Sequence, residues 1–183
     1  MGMSKDEITI SELRFKPFLS ESRILAEISN LSDVIDSHYR DQNPIFLCVL
    51  NGSFTFTSEI LRHLDFPYET AFVIVKSYDG TTSSNTIKEF IGLTSSVKDR
   101  HVIICEDIVE SGLTTNYLIG KLKDQEPKSI MIATLLFKPN QLKYSDLPIK
   151  YVGFEISDEF VVGFGLDYNE KGRNLRSIYQ KVD

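Results

Sequence analysis

The chain has 183 residues, a length that fits about one domain, and its 42% apolar and 25% charged residues supply a globular core, which excludes a disordered or collagen-like chain. Twenty-six acids against twenty bases give a net charge of −6, which argues against broad binding of nucleic acid or of an acidic membrane and leaves room for a local cationic site for a phosphate. No apolar run approaches the roughly 20 residues of a membrane helix, Met1 to Ser11 holds no signal-type apolar stretch, and Cys48 and Cys105 sit far apart in apolar runs as buried, reduced thiols of a cytoplasmic protein.

In chain order, Ile8 to Leu19 mixes Ile8, Ile10, Leu13 and Phe15 with polar residues and is predicted to form a short strand or a cover. Ser20-Glu21-Ser22 starts a helix in which Ile24, Leu25, Ile28, Leu31, Val34 and Ile35 recur at three- and four-residue spacing, the mark of one buried face, and Pro44 ends it. Ile45 to Leu50 is apolar throughout, as suits an interior strand of a parallel sheet buried on both faces. After the turn Asn51-Gly52-Ser53, residues Phe54, Phe56, Ile60, Leu61 and Leu64 suggest a second helix. Glu69 to Tyr78 and Ile87 to Leu93 read as strands on either side of a polar stretch, Asp79 to Thr86, which has nothing to bury and is predicted to be a mobile loop.

His101 to Cys105 is another interior strand, followed by the acids Glu106 and Asp107, a turn at Ser111-Gly112 and a helix from about Thr114 to Lys123. Ser129 to Phe137 is the next strand, Tyr151 to Phe154 and Phe160 to Phe164 are late strand-like runs, and the tail from Asn169 is polar. Strands alternating with helices indicate an α/β fold around a mostly parallel sheet, in which ligands sit at the carboxyl ends of the strands.

Chemistry concentrates in one string, Val102 to Thr115. A buried strand runs into two adjacent carboxylates and then a hydroxyl-and-glycine turn that opens a helix. Unpaired N–H groups at the helix start, with the hydroxyls of Ser111, Thr114 and Thr115, suit a phosphate without basic side chains. Carboxylates just ahead of such a turn can take hydrogen bonds from vicinal sugar hydroxyls or face a metal ion. Taken singly, the other candidates are bland: Lys138 reads as surface, Phe160 as core, and Asp167 with Arg173 as an exposed pair. His38, His63 and His101 show no metal-ligand spacing.

The string resembles the 5-phosphoribosyl pyrophosphate (PRPP) motif of the type I phosphoribosyltransferases, and further motifs follow in family order from about residue 20 to 176. Val49 to Phe54 is similar to the pyrophosphate loop, and Lys76-Ser77-Tyr78 with the polar stretch after it resembles the catalytic lid of the 6-oxopurine members. Leu135 to Lys138, Val152 to Ile156 and Phe160 to Glu170 fit the same hypoxanthine-guanine subgroup. The resemblance implies a single phosphoribosyltransferase domain, residues 1–183, with a lid at about 77–86 and a small hood made by the N- and C-terminal segments. It implies purine salvage: transfer of phosphoribosyl from PRPP to a 6-oxopurine, giving a nucleoside 5′-monophosphate and pyrophosphate, with Mg²⁺ as cofactor and a dimer or tetramer as the assembly, and no nucleic-acid or membrane partner.

For the site, the resemblance implies Leu50, Asn51 and Gly52 at the pyrophosphate, with a cis Leu50–Asn51 peptide, and Ser77 and Tyr78 in the lid. Glu106 and Asp107 would hold the ribose hydroxyls and a Mg²⁺, and Glu110, Ser111, Gly112, Leu113 and Thr114 the 5′-phosphate. Glu110 would also be the catalytic base, Lys138 would donate to the purine 6-oxo group, Phe160 would stack on the base and the Val161 backbone would read its edge. Asp167 would face a second Mg²⁺ and Arg173 the pyrophosphate. Two positions depart from the family pattern: Glu110 stands where Asp is usual, and Asn51 where several members carry Lys. An alternative on the same fold is a PRPP-sensing regulatory protein, against which the net charge, Lys138 and Asp167 all weigh. An adenine or pyrimidine acceptor fails mainly at Lys138 and Phe160.

Overall fold

The computed structural model describes residues 7–78, 86–91 and 96–182. Most of the predicted lid, residues 79–85, and the end of the strand predicted to reach Leu93 lie outside the described residues.

Five parallel strands, β3 (Ile45–Leu50), β4 (Glu69–Tyr78), β6 (His101–Val109), β7 (Ser129–Phe137) and β8 (Ile149–Glu155), form the main sheet in the order β4-β3-β6-β7-β8. A sixth strand, β5 (Thr86–Ile91), runs antiparallel along β4 at the edge. Helices cover both faces, which explains the unbroken apolar runs. Phe46, Ile103 and Leu135 pack with Ile24, Ile28 and Ile35 of α1 (Glu21–Tyr39) and Phe56 and Ile60 of α2 (Phe54–His63). Their strand neighbours Leu47, Val102 and Ile104 face the other way, onto Leu118, Ile119 and Leu122 of α3 (Leu113–Lys123).

Helix α1 starts where the sequence indicates, with the Ser20 hydroxyl accepting from the Arg23 N–H at 3.4 Å and Glu21 in the positive first turn, and it ends at Tyr39, short of Pro44. The aromatic pair of α2 divides: Phe56 is fully buried and Phe54 is 58% exposed.

Several boundaries differ from the sequence expectation: β8 starts at Ile149 rather than Tyr151, and the run expected over Phe160–Phe164 forms a strand only at Val161–Val162. Strand β6 does not stop at Cys105; its pairing with β7 continues through Glu106↔Thr134, Ile108↔Leu136 and Val109↔Phe137, so both acids lie inside the strand. Ladder hydrogen bonds join backbones, so the acids change the site without ending the strand. The polar tail also hides a strand, β10 (Ile178–Lys181), held between β2 (Leu13–Leu19) and β9 (Val161–Val162). With β1 (Ile8–Ile10) beside β2, these make a four-stranded antiparallel sheet from both chain ends, the expected hood, sealed by Ile10, Phe15 and Val162.

The chain leaves β3 toward β4 on one side and later returns to place β6 on the other. The carboxyl ends of β3 and β6 therefore flank the point where strand order reverses, where open α/β sheets form their ligand crevice.

Candidate functional site

A cavity of about 410 Å³ occupies that crevice, lined by Leu50 and Gly52 from the end of β3, Glu106 to Val109 from β6, and the turn Glu110 to Thr115. The Leu50–Asn51 peptide is cis, and Asn51 is exposed while Gly52 is buried. A Cβ on Gly52 would overlap the Asp107 carboxylate, so glycine is what lets the loop after β3 approach β6.

Glu106 is buried and Asp107 half-buried, an unusual placement for two adjacent carboxylates. Glu106 is 6% exposed, and burial, followed by repulsion from Asp107, holds its carboxyl well above the usual range. Burial likewise pushes Asp107 up to about 6, although its Oδ1 accepts the Ile108 N–H at 3.0 Å and the Arg173 guanidinium draws the value back. Asp167 acts on Asp107 in the opposite sense, so the hood's charges are felt at the end of β6.

Beyond the acids, the chain turns into α3. Gly112 precedes the helix with φ of +75°, the left-handed conformation that favours glycine. Ser111 Oγ accepts the Leu113 N–H at 3.3 Å, and the amides of Thr114 and Thr115 open the helix with no intrahelical carbonyl to take them. The Thr115 hydroxyl is not free for a ligand: it is buried and donates to the Gly112 carbonyl at 3.0 Å. What faces the cavity is therefore a nest of amides with Ser111 and Thr114.

Lys138 is 4% exposed, not surface decoration, and its ammonium pairs with the Glu110 carboxylate, which is 46% exposed. The two stand one position beyond the paired residues Val109 and Phe137, at the ends of adjacent strands. Phe160 is 44% exposed, with Tyr168 edge-on at 5.8 Å and Phe15 at 6.2 Å, so its ring forms a surface and not core. Val161 is buried in β9. Arg173 bonds Asp167 at 2.7 Å, Glu170 at 2.9 Å and the Gly165 carbonyl at 2.9 Å. A Cβ on Gly165 would in turn overlap the Gly52 carbonyl oxygen, which seats the hood loop against the loop after β3.

The structure thus gathers Leu50, Gly52, Glu106, Asp107 and Glu110 to Thr114 around one cavity, with Lys138 joined through Glu110. Phe160, Val161, Asp167 and Arg173 belong to the hood beside it. Ser77 and Tyr78 end β4, a neighbour of β3, and their side chains lie outside the described residues. Three lining residues were missed: Val75 of β4, and Lys143 and Tyr144, which follow a 3-10 turn at Pro139–Gln141 in a polar segment without periodicity.

Among the described residues no group of three or more His, Cys, Asp or Glu side chains converges as a metal cage. Two adjacent carboxylates of raised pKa, Glu106 buried and Asp107 half-buried, are nevertheless a hard-oxygen donor set short of positive charge, and they fit a Mg²⁺.

Comparison with known proteins gives the same picture. The phosphoribosyl transferase domain family matches residues 18–169. The chain is 41% identical over 164 residues to the hypoxanthine-guanine phosphoribosyltransferase of Bacillus subtilis (strain 168), covering 89% of this chain and 91% of that one. To the hypoxanthine-guanine-xanthine phosphoribosyltransferase of Tritrichomonas foetus it is 35% identical over 159 residues, 87% of each. A solved hypoxanthine phosphoribosyltransferase from Staphylococcus aureus superposes with a TM-score of 0.86 at 36% identity over 91% of both chains. With a domain match over most of its length and relatives of this similarity, the chain belongs to the hypoxanthine-guanine phosphoribosyltransferases, enzymes of the type I phosphoribosyltransferase fold.

Proposed function

We propose that the protein is a Mg²⁺-dependent purine-salvage transferase that moves the 5-phosphoribosyl group of PRPP to hypoxanthine or guanine, releasing pyrophosphate and the nucleoside 5′-monophosphate. The observation that carries this reading is the Lys138–Glu110 pair at the ends of β7 and β6. A 6-oxopurine offers an acceptor at O6 and a proton at N7, the complement of an ammonium beside a carboxylate. Adenine puts a donor amino group where Lys138 would donate, and is refused.

In this reading N9 of the purine attacks C1′ of PRPP, the bond from C1′ to pyrophosphate breaks, and the N7 proton passes to Glu110. The transition state is oxocarbenium-like, as in other glycosyl transfers, so positioning, charge and one proton transfer carry the rate. Glu106 and Asp107 hold the ribose hydroxyls, and the amides of the Glu110–Thr114 turn hold the 5′-phosphate. Phe160 lies against the base, whose edge meets the Val161 backbone, while Arg173 and the Leu50–Gly52 loop take the pyrophosphate. Glu106 and Asp107 would hold a Mg²⁺ and Asp167 would face a second, and this metal charge would help neutralise the departing pyrophosphate. Ser77 and Tyr78, with the stretch after them, would close over PRPP and keep water from the reacting sugar.

We read the protein as one domain over residues 1–183, cytoplasmic, and a dimer or tetramer with the exposed Phe54 at an interface. Among the described residues no helix is long and apolar enough to cross a membrane.

The test is an absorbance assay with PRPP and Mg²⁺, supplying hypoxanthine, guanine, xanthine and adenine separately. The expected result is turnover of 6-oxopurines but not adenine, abolished by EDTA. No turnover with any base, beside measurable PRPP binding, would overturn the enzyme reading in favour of a PRPP sensor.

A further inference from the structure

The cavity at the phosphate turn has an electrostatic problem. Among the described residues, its charged lining side chains are three acids, Glu106, Asp107 and Glu110, and one cation, Lys143. A phosphate monoester carries close to two negative charges at neutral pH. The amides at the start of α3 supply roughly half a positive charge, and the turn from Glu110 to Thr115 contains no basic residue.

Lys143 is placed to answer that shortfall. Its backbone N–H donates to the Ser111 carbonyl at 3.1 Å, which ties the segment directly to the phosphate turn. Leu142 and Leu147 pack into the space beside Gly112 that a Cβ there would need, and the Tyr144 ring stands beside them, so the segment is anchored from both sides of Lys143. Among the described residues the Lys143 ammonium enters no salt bridge, whereas Lys138 and Arg173 are both paired with acids. Lys143 is exposed and lines both this cavity and a second one beside α3, so a lysine fixed by its backbone at the anion cradle has its charge available to a phosphate there.

We infer that Lys143 is a binding residue for the 5′-phosphate of PRPP and of the nucleotide product. The inference rests on the proposed transferase reading and adds to it a division of labour: the α3 amides set the phosphate's geometry and Lys143 supplies its counter-charge. The residue lies outside the PRPP string, reaching the turn only because the chain after β7 folds back over Gly112.

The experiment compares wild type with Lys143→Gln and Lys143→Arg. The readouts are KM for PRPP and for hypoxanthine, inhibition by IMP and by inosine (which lacks the phosphate), and the thermal midpoint. Lys143→Gln should raise KM for PRPP and weaken IMP inhibition by about tenfold, as expected for one charge-assisted contact in a partly solvated site. It should leave inosine inhibition, KM for hypoxanthine and the thermal midpoint unchanged, and Lys143→Arg should restore most of the loss. The IMP affinity of wild type should also fall more steeply with salt than that of Lys143→Gln. Equal PRPP and IMP constants in wild type and Lys143→Gln would overturn the inference, as would equal losses of IMP and inosine. Those outcomes require an active wild type; a wild type that neither binds IMP nor turns over any purine defeats the transferase reading itself.

Discussion

The main sheet and the small antiparallel sheet meet at the same cavity but hold their polar groups by different means. On the main sheet, Glu106 and Lys138 are buried at the carboxyl ends of strands paired on both sides, and the loop after β3 closes against Asp107 with no room for a side chain at Gly52. In the hood, Phe160 is half-exposed beside a two-residue strand. Asp167 and Arg173 sit on a loop held by its own short-range bonds, Gly163 N–H to Leu166 O at 3.0 Å and Gly165 N–H to Arg173 O at 3.0 Å. Burial changes what an ionisable group can do, because desolvation shifts pKa and strengthens every charge interaction. A half-exposed ring offers area for binding instead. In the proposed reading, the difference places the proton transfer on the parallel sheet and the stacking surface for the purine on the hood. Loss of the base Glu110 should fall on kcat and loss of the Phe160 ring on KM.

The largest effect is expected from Glu110→Ala. It removes the proposed base and strands the Lys138 ammonium in a buried place, so kcat should fall on the order of 10²-fold or more, with a lowered thermal midpoint. Steady-state kinetics with hypoxanthine and a melting curve test this, and an essentially unchanged kcat would take Glu110 out of the mechanism. Phe160→Ala probes the other region. Losing the ring surface should raise KM for hypoxanthine by about tenfold, the scale of one base–aromatic stacking contact, while kcat at saturating base stays within a small factor. A fall in kcat matching that of Glu110→Ala would erase the proposed division between the sheets.

Much of this arrangement was legible along the chain because the parallel strands write themselves as apolar runs with clear stops. Ile45 to Leu50 lies between Pro44 and Asn51-Gly52, and the expected bounds of β3, β4 and β7 match the observed ones. The acids at 106 and 107 and the small-residue turn were legible for the same reason, since they interrupt such a run. What the chain did not show is whatever depends on a neighbour. Strand β6 runs four residues past Cys105 because β7 lies beside it, and β10 exists because β2 and β9 offer edges to a four-residue segment. The ion pair of Glu110 with Lys138 follows from the register of β6 on β7, two strands whose alignment has no local signal. Lys143 reaches the cavity by a fold-back that composition does not encode.

The smallest expected effect concerns the tie between the two chain ends of the hood. The Tyr168 hydroxyl donates to the Glu12 carboxylate in the β1–β2 turn, while the Tyr168 ring stands edge-on to Phe160 at 5.8 Å. Tyr168→Phe keeps the ring and removes the hydroxyl's bonds to Glu12 and Asn169, so KM for hypoxanthine should rise no more than about two- to threefold, with kcat unchanged, because exposed hydrogen bonds hold a surface weakly. The bond from Tyr168 is the main reason the Glu12 carboxyl sits below its ordinary value of 4.5. A lowered folded-state value means that the stabilising contribution is present above that ordinary value and is lost as pH falls through the lowered one. The small difference in thermal midpoint between wild type and Tyr168→Phe should therefore persist at neutral pH and vanish in acid. A tenfold rise in KM, or a gap that widens toward low pH, would place the Phe160 platform under the control of the Glu12–Tyr168 tie rather than of its own packing against Phe15.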